Sequence, residues 1–312
     1  QAFARLRKLG KPLCMGIAAE GQQQGSDLWL LGRYSQALSI LNDTIHFSKW
    51  MARHRVNGPE TGFDDSMLYQ DDPEHRRLRS LVEDLFRRRS IHHYRCVVRD
   101  LVNQILKGLE LNHPVNLVTG IADPLPLLVI ARFLGIPSDR LEALARYSAL
   151  ISNGTDALTA DDEALVAKRA AYGELENLLL EGLQGAWCAP EQSLIHRLHE
   201  LRDASLLDQR RALSMLLLLL FAGHETTSAQ LASTLCLLFS HPDQLRLLRS
   251  EPELLSGAIE ESLRCESPQQ QATFRMTTEA VIIEGHRFEP GDQVIVLLGC
   301  ANRDEAVFHL SL

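Results

Sequence analysis

From Ala212 to Gly223 the chain runs almost without polar interruption: ten of these twelve residues are Ala, Leu, Met or Phe. The pattern continues as SAQLASTLCLLF to Phe239, and His241-Pro242 then ends it. Leu, Met and Ala favour helix, so the pattern predicts one long helix buried on nearly every side. Its apolar run is about 12 residues, against the roughly 20 that cross a bilayer, so it reads as a core helix and not a membrane span. In its middle stand Gly223, His224, Glu225, Thr226 and Thr227. A carboxylate and two hydroxyls in such a place need a reason, because an unpaired buried polar group is costly.

Elsewhere the helical period dominates. QAFARLRKLG predicts a short amphipathic helix closed at Gly10, DLWLLGRY a strand, and SQALSILND a helix. Two helices are expected between Asp71 and Glu110, starting at DDPEHRRLRSLVEDLF. NLVTGIADPLPLLVIARFLGIP reads as helix up to Pro137, and Ser138 as the cap of SDRLEALARYSALI. DDEALVAKRAAYGELENLLLEGLQG and LIHRLHEL are helical, and HPDQLRLLRS and EPELLSGAIEESLR each begin with an acidic first turn. After Arg264 the period changes to two, in ATFRMTT and AVIIEGHRFEPGDQVIVLL, with Pro290-Gly291-Asp292 as a turn between strands. No repeat or low-complexity linker interrupts the chain. The expected architecture is a single domain over residues 1–312, mostly α with a small β portion.

Composition changes this picture little. The 312 residues are 45% hydrophobic and 23% charged, with a net charge of −8. Such a balance gives no footing for nucleic acid. The six cysteines (Cys14, Cys96, Cys188, Cys236, Cys265, Cys300) show no zinc spacing and no disulfide framework. A reducing cytoplasm and no membrane partner are the expectations.

Chemistry enters at AGHETT. Threonine can bond the carbonyl one turn back, which from Thr226 is that of Ala222. Gly223 removes a side chain, so something can lie against the backbone there. A small-residue notch beside an acid and an alcohol suits a ligand that must be supplied with protons; a helix packed on a polar neighbour would show the same residues. Three further patterns follow. EESLR places Glu261 and Arg264 on one helix face, where an ordinary exposed ion pair would be worth about 0–1 kcal/mol. DDPEHRRLR places His75 and Arg79 on one face, which a solvated basic helix would also do. QATFRMTTEAVIIEGHRFEPGDQVIV carries Arg275 into a hairpin.

Together, and in this order, these segments resemble the cytochrome P-450 family, the haem-thiolate monooxygenases. AGHETTSAQ is similar to the family's long distal helix, EESLR to its E-x-x-R helix, and DDPEHRRLR to the helix that grips the haem propionates. LWLLGRYSQALSILND is similar to its first strand and helix, and LLGCANRDEAVF to the turn after the hairpin, so the likeness covers almost the whole chain. The resemblance implies a cytochrome P-450-like fold with haem b as cofactor. Glu225 and Thr226 would relay protons, Ala222 and Gly223 would shape the oxygen groove, and His75, Arg79 and Arg275 would hold the propionates. Glu261 and Arg264 would form the structural ion pair. It implies insertion of one atom of O2 into a small organic substrate, by hydroxylation or epoxidation.

One part of the family pattern is missing. The cysteine that ligates the iron, in a Gly-rich loop, is expected beyond ANRDEAVF, and the chain ends at Leu312. None of the six cysteines has that loop context; Cys265 and Cys300, nearest the matching motifs, read as small buried hydrophobes. No metal ligand is therefore assigned, and the chain is expected to be a fragment, incomplete at the C-terminus, of a haem enzyme. A haem-free relative serving as helper of another protein is the alternative, and a non-haem helical binding module a third. For the electron donor, ferredoxin- or flavodoxin-type, the residues offer a patch. From Glu74 to Arg99 eight arginines meet three acids, densest at Arg87, Arg88 and Arg89, and a basic patch on an acidic protein steers an acidic partner. Substrate choice is expected from the loop Lys49 to Gln70 and from Tyr147 to Ala170, where ISNGTDALTADDE reads as a lid.

Overall fold

The computed structural model describes residues 2–16, 27–55, 62–92, 94–110, 112–153 and 162–308, without the side chains of 54, 55, 152, 153 and 162–165. The lid reading falls mostly on residues 154–161, outside the described set. In chain order, α1 (Ala2–Leu9) leads through β1 (Leu13–Cys14) to β2 (Leu28–Leu31), α2 (Tyr34–Asn42), β3 (Phe47–Ser48) and α3 (Lys49–Arg55). Next come α4 (Glu74–Ser80), α5 (Arg88–His92), α6 (Tyr94–Lys107), α7 (Pro124–Leu134), α8 (Leu141–Asn153), α9 (Asp162–Leu183) and α10 (Leu194–Asp203). The helix expected from the leucine run is α11 (Gln209–Ser240), followed by α12 (Pro242–Ser250) and α13 (Leu255–Cys265). The last segment holds β4 (Arg275–Thr277), β5 (Val281–Ile283), β6 (His286–Phe288), β7 (Gln293–Val296) and α14 (Leu298–Ala301). The protein is mostly α with a small β portion.

Several boundaries differ from the expected ones, each for a local reason. Residues 71–110 form three helices, with a 3-10 turn at Glu83–Phe86 between α4 and α5. The turn sets Phe86 against Phe133 at 4.9 Å, and Tyr94 meets the same ring at 5.8 Å. The helix expected to reach Pro137 stops at Leu134, because Gly135 takes the left-handed conformation (φ 87°) and its N–H bonds the Ala131 and Arg132 carbonyls. Ser138 opens a 3-10 turn without a side-chain cap bond; the serine that caps is Ser193, whose hydroxyl accepts from His196 N ahead of α10. The stretch Lys49 to Gln70, expected as a loop, begins with α3 and holds a 3-10 turn at Met67–Tyr69.

The chain divides into two compact units: Gln1–Pro59, Tyr69–Pro73 and Gln230–Leu312 form the first, and Glu60–Leu68 with Glu74–Ala229 the second. The first is built on a five-stranded sheet of order β1-β2-β7-β4-β3, with β2 and β7 parallel and the other pairs antiparallel, beside the β5–β6 hairpin. Leu31, Ile40, Phe47, Phe288, Val294 and Val296 form its core, where Trp29 and Phe288 lie 4.8 Å apart. Asp292, 3% exposed, ties the hairpin return by accepting from Asp27 N, Trp29 Nε1 and Glu289 N, each at 2.9 Å. Arg7 of α1 reaches Glu305 with two bonds, at 2.8 and 3.0 Å, and holds that carboxyl down at about 2.

The second unit is a helical core. Leu134, Leu144, Leu175, Leu179, Leu183, Leu194, Leu198, Leu216, Leu217 and Leu220 are all fully buried in it. By length and composition α11 could cross a membrane, but half of its apolar window is buried inside the protein itself, in keeping with a core helix. Burial on nearly every side holds from Ala212 to Leu220 and stops there. From Phe221 to Ser240 only Ser228 is buried, although Leu231, Leu235, Leu237, Leu238 and Phe239 carry the apolar pattern on to the helix end.

Candidate functional site

In the second unit, α11 runs unbroken through AGHETT. Thr226 Oγ1 donates to the Ala222 carbonyl at 2.6 Å, the bond expected for a threonine in mid-helix. Ala222 and Glu225 are exposed and Thr226 half-buried, so the acid and the alcohol are both accessible. Gly223 has a reason that the sequence did not reveal. A Cβ there would stand 2.8 Å from Ile130 Cδ1 and 3.1 Å from its Cγ1, so what lies against the backbone is a side chain of α7. His224 turns the same way into the unit: its Nδ1 is 2.8 Å from the Ser148 hydroxyl of α8. Burial pushes the imidazole below its ordinary range, opposed by the Asp123 backbone carbonyl and by the carboxylates of Glu225 and Asp123. Nothing local in the sequence pointed to His224, since its partner is 76 residues away.

His75 and Arg79 share α4 at a spacing of four. His75 Nδ1 is 2.8 Å from the Met67 carbonyl, which fixes the ring, and Arg79 is exposed. Glu74 beside them is gripped by Arg77 with two bonds and by Arg211 of α11 at 2.7 Å, and these cations hold its carboxyl below the usual range. Further on, Arg87, Arg88 and Arg89 are all exposed, with Arg87 bonded to Glu83 at 3.2 Å.

In the first unit, β4 carries Arg275 into a half-buried place. Its Nη1 is buried and finds no hydrogen-bond partner among the described residues. Burial lowers its pKa, opposed by the charge of Asp71. Asp71 is already engaged, accepting from Lys49 N at 2.9 Å and, by a very short contact, from the Ser48 hydroxyl. Lys49 is also pushed down, first by burial and then by the charge of Arg275. Two cations withdrawn from water, one with a buried N–H left over, make a place suited to a carboxylate or another anion. That is a fit to the acidic side chains of haem.

Glu261 and Arg264 pair bidentately on α13, at 2.7 and 2.5 Å. Arg264 does more than the expected pair requires. Its Nη1 donates to the Asn302 carbonyl at 2.9 Å, and the guanidinium lies 5.1 Å from the Phe308 ring, which meets Tyr34 edge-on at 5.5 Å. Arg264 is 14% exposed and Glu261 53%, so the arginine is the anchored partner. Its hydrogen bonds hold the Glu261 carboxyl below its ordinary value. Behind α13, Ser262 accepts from Gln230 Nε2 at 2.9 Å and lies 2.6 Å from Thr234 Oγ1. Cys265 is half-buried and Cys300 buried, with Cys300 Sγ 3.4 Å from the Phe3 carbonyl. Burial pushes both thiols up, the direction opposite to a ready thiolate.

Comparison with known proteins adds to this geometry. A sequence profile of the family described as "Cytochrome P450" matches residues 190–310. The chain is 32% identical over 305 residues to a "Cytochrome P450" of Bacillus subtilis (strain 168), covering 95% of this chain and 72% of that protein. It is 33% identical to a vitamin D(3) 25-hydroxylase of Pseudonocardia autotrophica, covering 89% of this chain and 68% of the relative. Among solved structures it is similar to P450BioI, crystallised with acyl carrier protein ligated to hexadec-9Z-enoic acid. There the TM-score is 0.81 at 29% identity, over 98% of this chain and 78% of that one.

The arginine's extra contacts give a stability prediction. Arg264→Ala, which strands the Asn302 carbonyl as well as Glu261, is expected to cost about 2 kcal/mol in urea unfolding. Glu261→Ala should cost roughly half as much. Equal losses would mean that the ion pair alone carries the effect. Because the Glu261 carboxyl is depressed on folding, its contribution is complete above the ordinary carboxylate pKa. It fades as pH falls through the lower folded value, so the Glu261→Ala deficit should shrink in acid.

Proposed function

The chain belongs to the cytochrome P450 family, and on that premise we propose that it performs the family's haem-dependent monooxygenation, placing one atom of O2 into a small organic substrate. Members of the family carry haem. In this chain the observation that supports binding is the buried Nη1 of Arg275, which has no hydrogen-bond partner among the described residues, with Lys49 beside it. A haem-free helper would leave that group without a use. Arg275, His75 and Arg79 are assigned to the haem carboxylates, and residues 1–312 are read as one domain of the family fold. No residue of this chain is assigned as the iron ligand.

Bound haem supplies the redox chemistry that activates dioxygen. The chain's own residues handle protons. Since the Thr226 hydroxyl proton is committed to the Ala222 carbonyl, Oγ1 presents lone pairs and acts as a hydrogen-bond acceptor. A proton must therefore come from elsewhere, and Glu225, exposed one residue before, takes it from water and passes it inward. Ala222, on the same face as Thr226, leaves room beside them, and Gly223 sets how closely α7 approaches. The electron donor proposed is an acidic ferredoxin- or flavodoxin-type protein docking at Arg87, Arg88 and Arg89. The named relatives include a hydroxylase of vitamin D(3) and a complex with an acyl-carrier-bound fatty acid. The substrate class supported here is no narrower than a small organic molecule.

The test is haem uptake by the folded chain, read from the absorption spectrum. The wild type is expected to bind, and Arg275→Gln to bind at least tenfold more weakly; no uptake by a cooperatively folding chain would overturn the reading. In the haem-loaded protein, Thr226→Ala should divert reducing equivalents from product to hydrogen peroxide, and unchanged coupling would remove the threonine from the mechanism. Reversing Arg87, Arg88 and Arg89 to Glu should slow reduction by a ferredoxin and leave substrate affinity as it was; an unaltered rate would place docking elsewhere.

A further inference from the structure

The leucine run of α11 supplies burial but no phase. Ser214–Leu218 are buried in an unbroken row of more than one turn and all but Ser214 are apolar, so nearly every direction around the helix is apolar, and non-directional contacts of that kind tolerate a roll about the axis. Rolling matters to the polar segment. At a side-chain radius of about 5 Å, a roll of roughly 20° moves a functional atom by about 2 Å. A misplacement of that size is enough to lose a productive geometry. Something directional must set the roll near Thr226.

Two neighbouring residues do so from opposite kinds of contact. Gly223 admits Ile130 against the helix backbone, an approach from which a Cβ at that position would push the Ile130 side chain back. His224, the next residue, reaches Ser148 at 2.8 Å; that hydroxyl belongs to a residue only 1% exposed, so water does not compete for it. Other directional contacts of α11 act further from His224: Ser214 Oγ donates to the Gly62 carbonyl at 2.8 Å ten residues earlier, and Gln230 Nε2 donates to Ser262 Oγ at 2.9 Å six residues later.

We propose that His224 is a positioning residue, locked through Ser148 as a neutral imidazole, which with Gly223 fixes the roll of α11 so that Ala222 and Thr226 face their ligand with Glu225 at their side. The lock stands on the contacts just given; its consequence for catalysis rests on the proton-handling role proposed for Glu225 and Thr226. In this lock the Ser148 hydroxyl donates to Nδ1 and Nε2 carries the ring proton.

The experiment uses the full chain. Ring-nitrogen NMR of His224 should show Nδ1 without a proton in the wild type, and a mixture of tautomers in Ser148→Ala. In the same variant, amide exchange over residues 222–228 should accelerate about tenfold while Leu175–Leu183 of α9 stays within about twofold. Ser148→Thr, which keeps the hydroxyl, should restore both. Acceleration spread evenly over both helices, or none at all, would overturn the proposal. With haem loaded, Ser148→Ala should raise the peroxide share as Thr226→Ala does. If Thr226→Ala uncouples and Ser148→Ala does not, the positioning role fails. If neither uncouples, it is the proton-handling reading of Thr226 that fails.

Discussion

A polar group set into an apolar helix has to be answered by a partner, and the middle of α11 is organised by that requirement. Ser214 holds the Gly62 carbonyl, His224 the Ser148 hydroxyl, Thr226 its own Ala222 carbonyl, and Gln230 with Thr234 the hydroxyl of Ser262. The leucines between Leu216 and Leu220 drive burial, but these bonds decide what each polar residue can do. Ser228 Oγ and Gln230 Oε1 mark where the answering is incomplete among the described residues. The polar segment is thus a set of assigned contacts carried on a rod that would otherwise be uniform.

The same requirement works in reverse around Arg275. There a guanidinium and an ammonium are drawn partly out of water, and the nearby Asp71 already caps Lys49 N and Ser48 Oγ. Asp71 offsets part of the charge, and the buried Nη1 stays without a bond among the described residues. Desolvated cations are unfavourable by themselves and favourable only with an anion. A fold that keeps Arg275 in this state is poised for one, and family membership gives the anion its chemical identity in the proposed reading.

What could be read in the sequence was whatever depends on short spacing. The four-residue step from Ala222 to Thr226, the three-residue step from Glu261 to Arg264 and the four-residue step from His75 to Arg79 all fix a shared helix face before any tertiary contact is known. The alternation after Arg264 gave the strands and the turn at Pro290-Gly291-Asp292 in the same way. What could not be read depends on partners far along the chain. Ile130 explains Gly223 and Ser148 explains His224, at separations of 93 and 76 residues. The 3-10 turn after α4 brings Phe86 to 4.9 Å from Phe133, a partner that no residue between Asp71 and Glu110 announces.

Arg264 shows how far a local pattern reaches and where it stops. Spacing predicts the pair with Glu261, and on an exposed helix such a pair would be worth little. Its weight comes from the groups the spacing does not mention: the Asn302 carbonyl, the Phe308 face and the low exposure of the guanidinium itself. A charge-assisted bond to a carbonyl sheltered from water is stronger than a solvated ion pair of the same length. Glu261, half in solvent, then acts chiefly to neutralise and orient an arginine whose structural work lies on its other side. The acid of the motif is the accessory and the base is the hub, an inequality that follows from burial and that two letters three positions apart could not express.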